Sequence, residues 1–152
     1  MKMEIQENCE KVLLDEVTLD NYMPYSVHVI LDRAIPKIDG FKPSQRRILY
    51  TMYKSKLFGK KVKSAGVVGE TMKIHPHGDI PIYEAMIRMS DKNGTWGIPF
   101  ISGKGNFGNI NSNMAYAAYR YTEAGLADVA KELFEDIDYV DYVSTYDETS
   151  KE

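Results

Sequence analysis

Ser64-Ala65-Gly66-Val67-Val68-Gly69-Glu70-Thr71-Met72-Lys73-Ile74-His75-Pro76-His77-Gly78-Asp79-Ile80-Pro81 is the stretch whose reading decides the fold. Ser64 to Met72 reads as a short helix and His75-Pro76-His77-Gly78 as a turn. Asp79 then reads as the N-cap of a second helix, which carries Pro81 in its first turn and ends near Met89. Two helices joined through a short turn, with basic residues nearby, is the organisation of a helix-turn-helix DNA reader.

Upstream, Pro43 fits the first turn of a helix that runs to about Ser55 and buries Ile48, Leu49 and Met52. The adjacent Arg46 and Arg47 then leave that helix about a hundred degrees apart, suited to gripping neighbouring phosphates instead of one. Before it, helical spacing begins near Leu19, with Tyr22, Met23, Val27, Ile30 and Leu31 on a common face, and Pro36, Asp39 and Gly40 break the pattern. Phe58 to Lys63 reads as a basic loop. From Thr95 to Asn113 the pattern changes to short apolar pieces, Trp96 to Ile101 among them, and Gly or Asn turns, which predict strands and a wing. The expectation is an α+β, predominantly helical, winged-helix domain over residues 18–149, preceded by a polar, acidic leader over 1–17 that is expected to be poorly ordered.

With 152 residues and 43% hydrophobic side chains, the chain can bury one core. A single cysteine, Cys9, excludes an internal disulfide. The N-terminus carries Glu4, Glu7 and Glu10 where a signal peptide would be basic and then apolar, and no apolar run reaches membrane-spanning length. A cytoplasmic protein is expected. A net charge of -3 by itself argues against nucleic acid, but the distribution of charge points the other way. Residues 33–73 hold eleven bases against two acids, whereas residues 122–152 hold ten acids and two bases. Such segregation makes one face attractive to a polyanion.

Ala118-Tyr119-Arg120-Tyr121-Thr122-Glu123 carries the chemistry. Tyrosine can serve as a covalent nucleophile, but its phenol titrates near pH 10 and needs help at neutral pH. Arg120 offers a permanent charge and forked donors for a phosphate. Thr122 reads as an N-cap, with a helix from Ala124 to Asp136 directing its positive dipole end toward Tyr121. Eleven tyrosines in the chain mean that most must pack or face solvent, so the run gains its weight from its neighbours.

Those neighbours are Arg33-Ala34-Ile35-Pro36, Asp39-Gly40-Phe41-Lys42-Pro43-Ser44-Gln45-Arg46-Arg47, Ser64-Ala65-Gly66-Val67-Val68-Gly69-Glu70, His75-Pro76-His77-Gly78-Asp79 and Gly103-Lys104-Gly105-Asn106-Phe107-Gly108. In this order, over about residues 18 to 149, the series resembles the breakage-reunion part of the A subunit of bacterial type IIA DNA topoisomerases, DNA gyrase and topoisomerase IV. The resemblance implies that Tyr121 attacks a DNA phosphate to leave a 5′-phosphotyrosyl link, with Arg120 stabilising the developing charge. It implies that Arg33, Lys42, Gln45, Arg46, Arg47, His75 and His77 hold or orient the cut strand. Mg2+ and ATP are implied on the partner B subunit, and two copies of the chain are expected in an A2B2 assembly on double-stranded DNA. Tower, coiled-coil and C-terminal regions of the family are expected outside this chain, so activity is expected only with those gate regions and the B subunit.

Several positions depart from the family pattern. Gln45 stands where a histidine is usual, Lys104 where a glutamine is common, and Asn111-Ser112-Asn113 where the turn is usually acidic. Ile80 and Glu84 stand where family members often carry a serine and an acid that anchor quinolone drugs, so reduced quinolone sensitivity is expected.

His75 and His77 alone make a poor zinc site, and no metal site is expected in this chain; their alternatives are loop hydrogen bonds or the DNA backbone. His28 reads as a helix-surface or packing residue. The Gly-rich run 103–108 lacks the Lys-Ser/Thr ending and helix of a nucleotide loop, and the resemblance gives it a scaffolding role. Two other readings compete with a topoisomerase: a non-catalytic winged-helix DNA-binding module derived from this family, and a tyrosine recombinase, whose dispersed Arg/His/Arg set is unlike the Arg120-Tyr121 pair.

Overall fold

A computed structural model describes residues 12–94, 96–109, 115–144, 148 and 151. Most of the expected leader, and the Asn111-Ser112-Asn113 turn, lie outside the described residues. The chain forms two units, Met1–Lys42 and Pro43–Glu152.

In the first unit a helical run covers 14–34, beginning earlier than the periodicity from Leu19 predicts. It alternates α-helix (α1, Leu14–Val17; α2, Met23–Val29) with wide π-helical turns (Thr18–Tyr22 and Ile30–Ala34). Pro24 has no amide hydrogen to close an ordinary turn, and the first wide turn lies immediately ahead of it. Tyr22, Met23, Val27, Ile30 and Leu31 are all exposed. His28 lies on the helix surface, its Nδ1 2.9 Å from the Asp32 carboxylate one turn on. The break comes where Pro36, Asp39 and Gly40 predict it: Gly40 turns with φ +81°, and the Asp39 carboxylate accepts the Phe41 amide at 3.0 Å.

The second unit builds its core on three helices. α3 (Pro43–Lys54) buries Ile48, Leu49, Thr51 and Met52, one stripe of helical spacing, and leaves Arg46 exposed. α4 (Ser64–Met72) buries Ser64, Val67, Val68 and Thr71, and α5 (Asp79–Ser90) buries Ile82, Tyr83, Met86 and Met89. The three pack on one another. Gly78 is the N-cap of α5, with φ +100°, so Asp79 is the first helical residue and not the cap. Its carboxylate is thereby left for a longer-range bond.

Three short strands close the core: β1 (Val62–Lys63), β2 (Ile101–Lys104) and β3 (Glu123–Leu126), antiparallel in the order β1-β3-β2. The predicted helix from Ala124 to Asp136 is not formed. Residues Glu123–Leu126 are the central strand, and only a 3-10 helix, Asp128–Phe134, follows. The strand wins because β3 pairs on both sides, Ala124 opposite Val62 and Gly103, and Leu126 opposite Ile101, and buries Ala124, Gly125 and Leu126. The expected strands between Thr95 and Asn113 reduce to β2 among the described residues, with Trp96 to Ile98 in turns. The architecture is α+β, helical for the most part.

Candidate active site

Tyr121 lies in a tight turn just ahead of the central strand. Its amide donates to the Ala118 carbonyl at 2.9 Å, and Thr122 then leads into β3. The dipole expected from a following helix is absent, because that helix is a strand. A neighbouring side chain acts on the phenol instead. It is 67% exposed, and the Arg120 guanidinium carbon sits 4.8 Å from its ring centroid. Hydrogen bonding from Arg120, then its charge, holds the Tyr121 phenol below the usual tyrosine range.

Two further tyrosines of the same segment show what selects Tyr121. Tyr119 donates its hydroxyl to Asp79 Oδ2 at 2.8 Å, and Tyr116 donates to Glu84 Oε1 at 3.1 Å. Each acceptor pushes its phenol upward, chiefly through that hydrogen bond. One segment thus carries a tyrosine eased toward its anion between an arginine and solvent, and two held protonated against the acids of α5. Asp79 in turn is held below the usual carboxylate range, first by the Tyr119 hydroxyl and then by the Ile80 amide.

Asp79 is two residues beyond His77, and Tyr119 two before Tyr121, so this bond ties the His75–Gly78 turn to the Tyr121 turn. His75 is buried at 8% exposure; its Nδ1 accepts from Arg47 Nη1 at 3.0 Å, and its ring meets the edge of His77 with centroids 4.4 Å apart. Arg47, His75 and His77 therefore form one cluster joining α3 to the turn before α5. Arg46 is exposed and Gln45 half-buried on α3. Arg33 and Lys42 are exposed residues of the first unit.

Beside Tyr121 the sheet carries a row of alternating charge. Glu123 faces Lys63 on one side and Lys104 on the other in the register, with Nζ to carboxylate distances of 3.3 and 3.5 Å. The Lys63 hydrogen bond, then the Lys104 and Lys63 charges, hold the Glu123 carboxyl below the usual range. The Gly-rich run leaves β2 through Gly105, at φ +105°, against Thr122 and the Tyr121 carbonyl. Asn106 secures the other side: its carbonyl accepts the Ala117 amide at 2.9 Å and its side chain donates to the Ala115 carbonyl at 3.0 Å. Ile80 is exposed in the first turn of α5, and Glu84 is already engaged by Tyr116.

Sequence reasoning missed four residues here: Ser64, Tyr83, Tyr119 and Asp79 in its role as acceptor. Their side-chain partners lie far along the chain, and Thr122, read as a helix cap, is a buried strand-leading residue whose hydroxyl meets those of Ser64 and Tyr83 and the Tyr119 carbonyl. Among the described residues no group of three or more His, Cys, Asp or Glu could hold a metal ion. Nor is any helix among them long and apolar enough to cross a membrane.

An exposed tyrosine beside an arginine thus sits in the turn that leads into the central strand of a small sheet packed against three helices. The sequence matches the family of DNA gyrase and topoisomerase IV A subunits over residues 33–152, and the chain belongs to that family. It is 46% identical to the DNA gyrase A subunit of Thermotoga maritima over 145 residues, covering 91% of this chain and 18% of that protein. It is 46% identical over 140 residues to the gyrase A subunit of Deinococcus deserti, covering 87% and 17%, and 41% identical over 152 residues to that of Helicobacter pylori strain J99, covering 96% and 18%. The chain thus spans under a fifth of the length of these relatives.

Proposed function

We propose that this chain is the winged-helix breakage-reunion region of a type II DNA topoisomerase A subunit, with Tyr121 as its nucleophile. The observation that carries the reading is the contrast within one segment: Tyr116 and Tyr119 give their hydroxyls to Glu84 and Asp79, whereas Tyr121, the most exposed of the three at 67%, lies beside the Arg120 guanidinium, which draws its phenol toward ionisation. The Tyr121 oxygen forms a bond to a DNA phosphorus as the bond from that phosphorus to the 3′-oxygen breaks. The exposed phenol gives its proton to solvent water, and the departing 3′-oxygen takes one from solvent. The energy of the broken bond is kept in the 5′-phosphotyrosyl link, so resealing is the reverse step and needs no ATP. Arg120 is placed to meet the charge that grows on the phosphoryl oxygens.

Arg46, Arg47, His75 and His77 of the second unit, with Gln45, Arg33 and Lys42, are assigned to the DNA backbone on either side of the cut. Such contacts position a duplex without reading its sequence. By the family resemblance Mg2+ and ATP are assigned to a B subunit, and no step above runs through either. Two copies of the chain in an A2B2 assembly would present one tyrosine to each strand, acting on the nucleoid in the cytoplasm.

The test grafts residues 18–149 into a full-length A subunit and traps a covalent adduct on a nicked duplex with magnesium and a cognate B subunit. A 5′-linked adduct with the wild type and none with Tyr121→Phe is expected. Salt-sensitive DNA binding with no adduct in either would replace this reading with a non-catalytic DNA-binding module, and a 3′-linked adduct would replace it with recombinase chemistry.

A further inference from the structure

Tyr121 is mostly in solvent, so its own side chain does little to hold it. What fixes it must act on the residues around it. Thr122, the next residue, is fully buried, as is Ser64, and Tyr83 is 3% exposed. Their three hydroxyls form a buried network. Thr122 Oγ1 lies 2.8 Å from Ser64 Oγ and 2.9 Å from the Tyr83 hydroxyl, which also bonds the Ala117 carbonyl at 2.8 Å. The Ser64 amide completes it by donating to the Thr122 carbonyl at 3.0 Å.

Ser64 opens α4 and Tyr83 sits within α5, so the network pins the residues on both sides of the 118–121 turn, Ala117 and Thr122, to the helix pair. The Tyr83 ring contributes as well. It stands edge-to-face with Tyr116 and with Tyr119, at 5.7 Å from each. A phenylalanine would fill this space as well, and a buried hydroxyl is tolerated only when bonded. The bonds it makes here go to the segment that carries Tyr121.

We propose that Tyr83, acting with Thr122 and Ser64, is the positioning residue of the Tyr121 nucleophile, holding its turn so that the phenol is presented against Arg120. The inference rests on the reading of Tyr121 as nucleophile.

The experiment compares Tyr83→Phe, Ser64→Ala, Thr122→Val and Thr122→Ser in the full chain. Tyr121 is titrated through the 13C resonance of its ring Cζ, and adduct formation on a nicked duplex is measured alongside DNA affinity with residues 18–149 grafted into a full-length A subunit and a cognate B subunit added. Tyr83→Phe and Ser64→Ala each remove one arm and keep the fold testable should Thr122→Val unfold the chain. In folded variants lacking a hydroxyl, the Tyr121 titration is expected to move up toward the ordinary tyrosine value. Adduct is expected to fall roughly tenfold to a hundredfold, as for a misplaced reacting group, with DNA affinity unchanged. Thr122→Ser, which keeps its hydroxyl, is expected to retain both. Folded variants whose Tyr121 titration and adduct match the wild type would overturn the proposal. A wild type that forms no adduct while Tyr121 titrates as stated would sink the cleavage reading and leave the positioning of Tyr121 standing.

Discussion

Arg47 donates from Nη1 to Nδ1 of His75 over 3.0 Å, across the gap between α3 and the turn that leads into α5. A guanidinium has no lone pair to accept with, so Nδ1 must be the acceptor, and the ring carries its proton on Nε2. The ring of His77 packs against His75 nearly perpendicular to it, with centroids 4.4 Å apart. In 15N spectra at neutral pH, His75 is expected to show one Nε2-protonated form, and Arg47→Met is expected to release it into a mixture of tautomers. An Nδ1-protonated ring in the wild type would refute the arrangement.

The three tyrosines of the segment are expected to titrate in a fixed order. Arg120 draws Tyr121 below the ordinary tyrosine value, whereas Asp79 and Glu84 raise Tyr119 and Tyr116 above it. As pH rises, Tyr121 ionises first, so cleavage that depends on its anion climbs on the alkaline side and levels off before the other two titrate. Arg120→Met removes the guanidinium, and the Tyr121 midpoint is expected to rise while Tyr119 and Tyr116 change little. Ring-carbon chemical shifts across the alkaline range check each midpoint separately.

The helices around this site were legible because their signals are local. Pro43 and the stripe Ile48, Leu49 and Met52 mark α3, and Ser64 to Met72 is the span of α4. What the sequence hid is non-local. Ala124-Gly125-Leu126 has no β-branched residue and reads as helix, yet its pairing with Val62 and with Ile101 to Gly103 makes it the central strand. Thr122 followed by Glu123 looks like a helix start, and its hydroxyl instead meets Ser64 and Tyr83, 58 and 39 residues away. Tyr121 is singled out by motif, but the helix end expected to face it is a strand, and the cation beside its ring is Arg120.

Glu123 links the sheet to acid stability. Lys63 and Lys104 hold its carboxyl below the ordinary glutamate value in the folded chain. The unfolded chain therefore binds the proton more readily, and stability rises with pH across the interval between the two values. The contribution of Glu123 is present in full above the ordinary glutamate value and is lost as pH falls through the lower, folded one. Glu123→Gln is expected to flatten this acid limb of urea-denaturation stability and to leave the curve above neutrality parallel to that of the wild type. An unaltered acid limb would show that the two lysines stabilise nothing.

Gly125 sits where a side chain cannot. A Cβ there would run into the Lys60 carbonyl, and the Leu57 carbonyl crowds it too, because the backbone of 57–60 crosses β3 closely enough to accept the Leu126 amide at 3.0 Å. Both obstacles are backbone, so neither yields by a rotamer change. Gly125→Ala is expected to destabilise the fold by about 1–3 kcal/mol, as overpacking does, seen as a lower urea midpoint at an unchanged slope. An alanine variant as stable as the wild type would mean the strand and the 57–60 segment lie farther apart.

Ile80 and Glu84 bear on quinolones only through the family resemblance, which places at these positions a serine and an acid that anchor the drug. Ile80 is 62% exposed in the first turn of α5 and has no hydroxyl to offer. Glu84 is already taken, accepting the Tyr116 hydroxyl at 3.1 Å. Drug and tyrosine would compete for one carboxylate, so two features of this chain work against binding. Ile80→Ser is expected to increase drug-stabilised cleavage, and Tyr116→Phe, which frees Glu84, to increase it further in the double variant. Equal drug potency against the wild type and Ile80→Ser would remove the first argument, and a double variant no more sensitive than Ile80→Ser alone would remove the second.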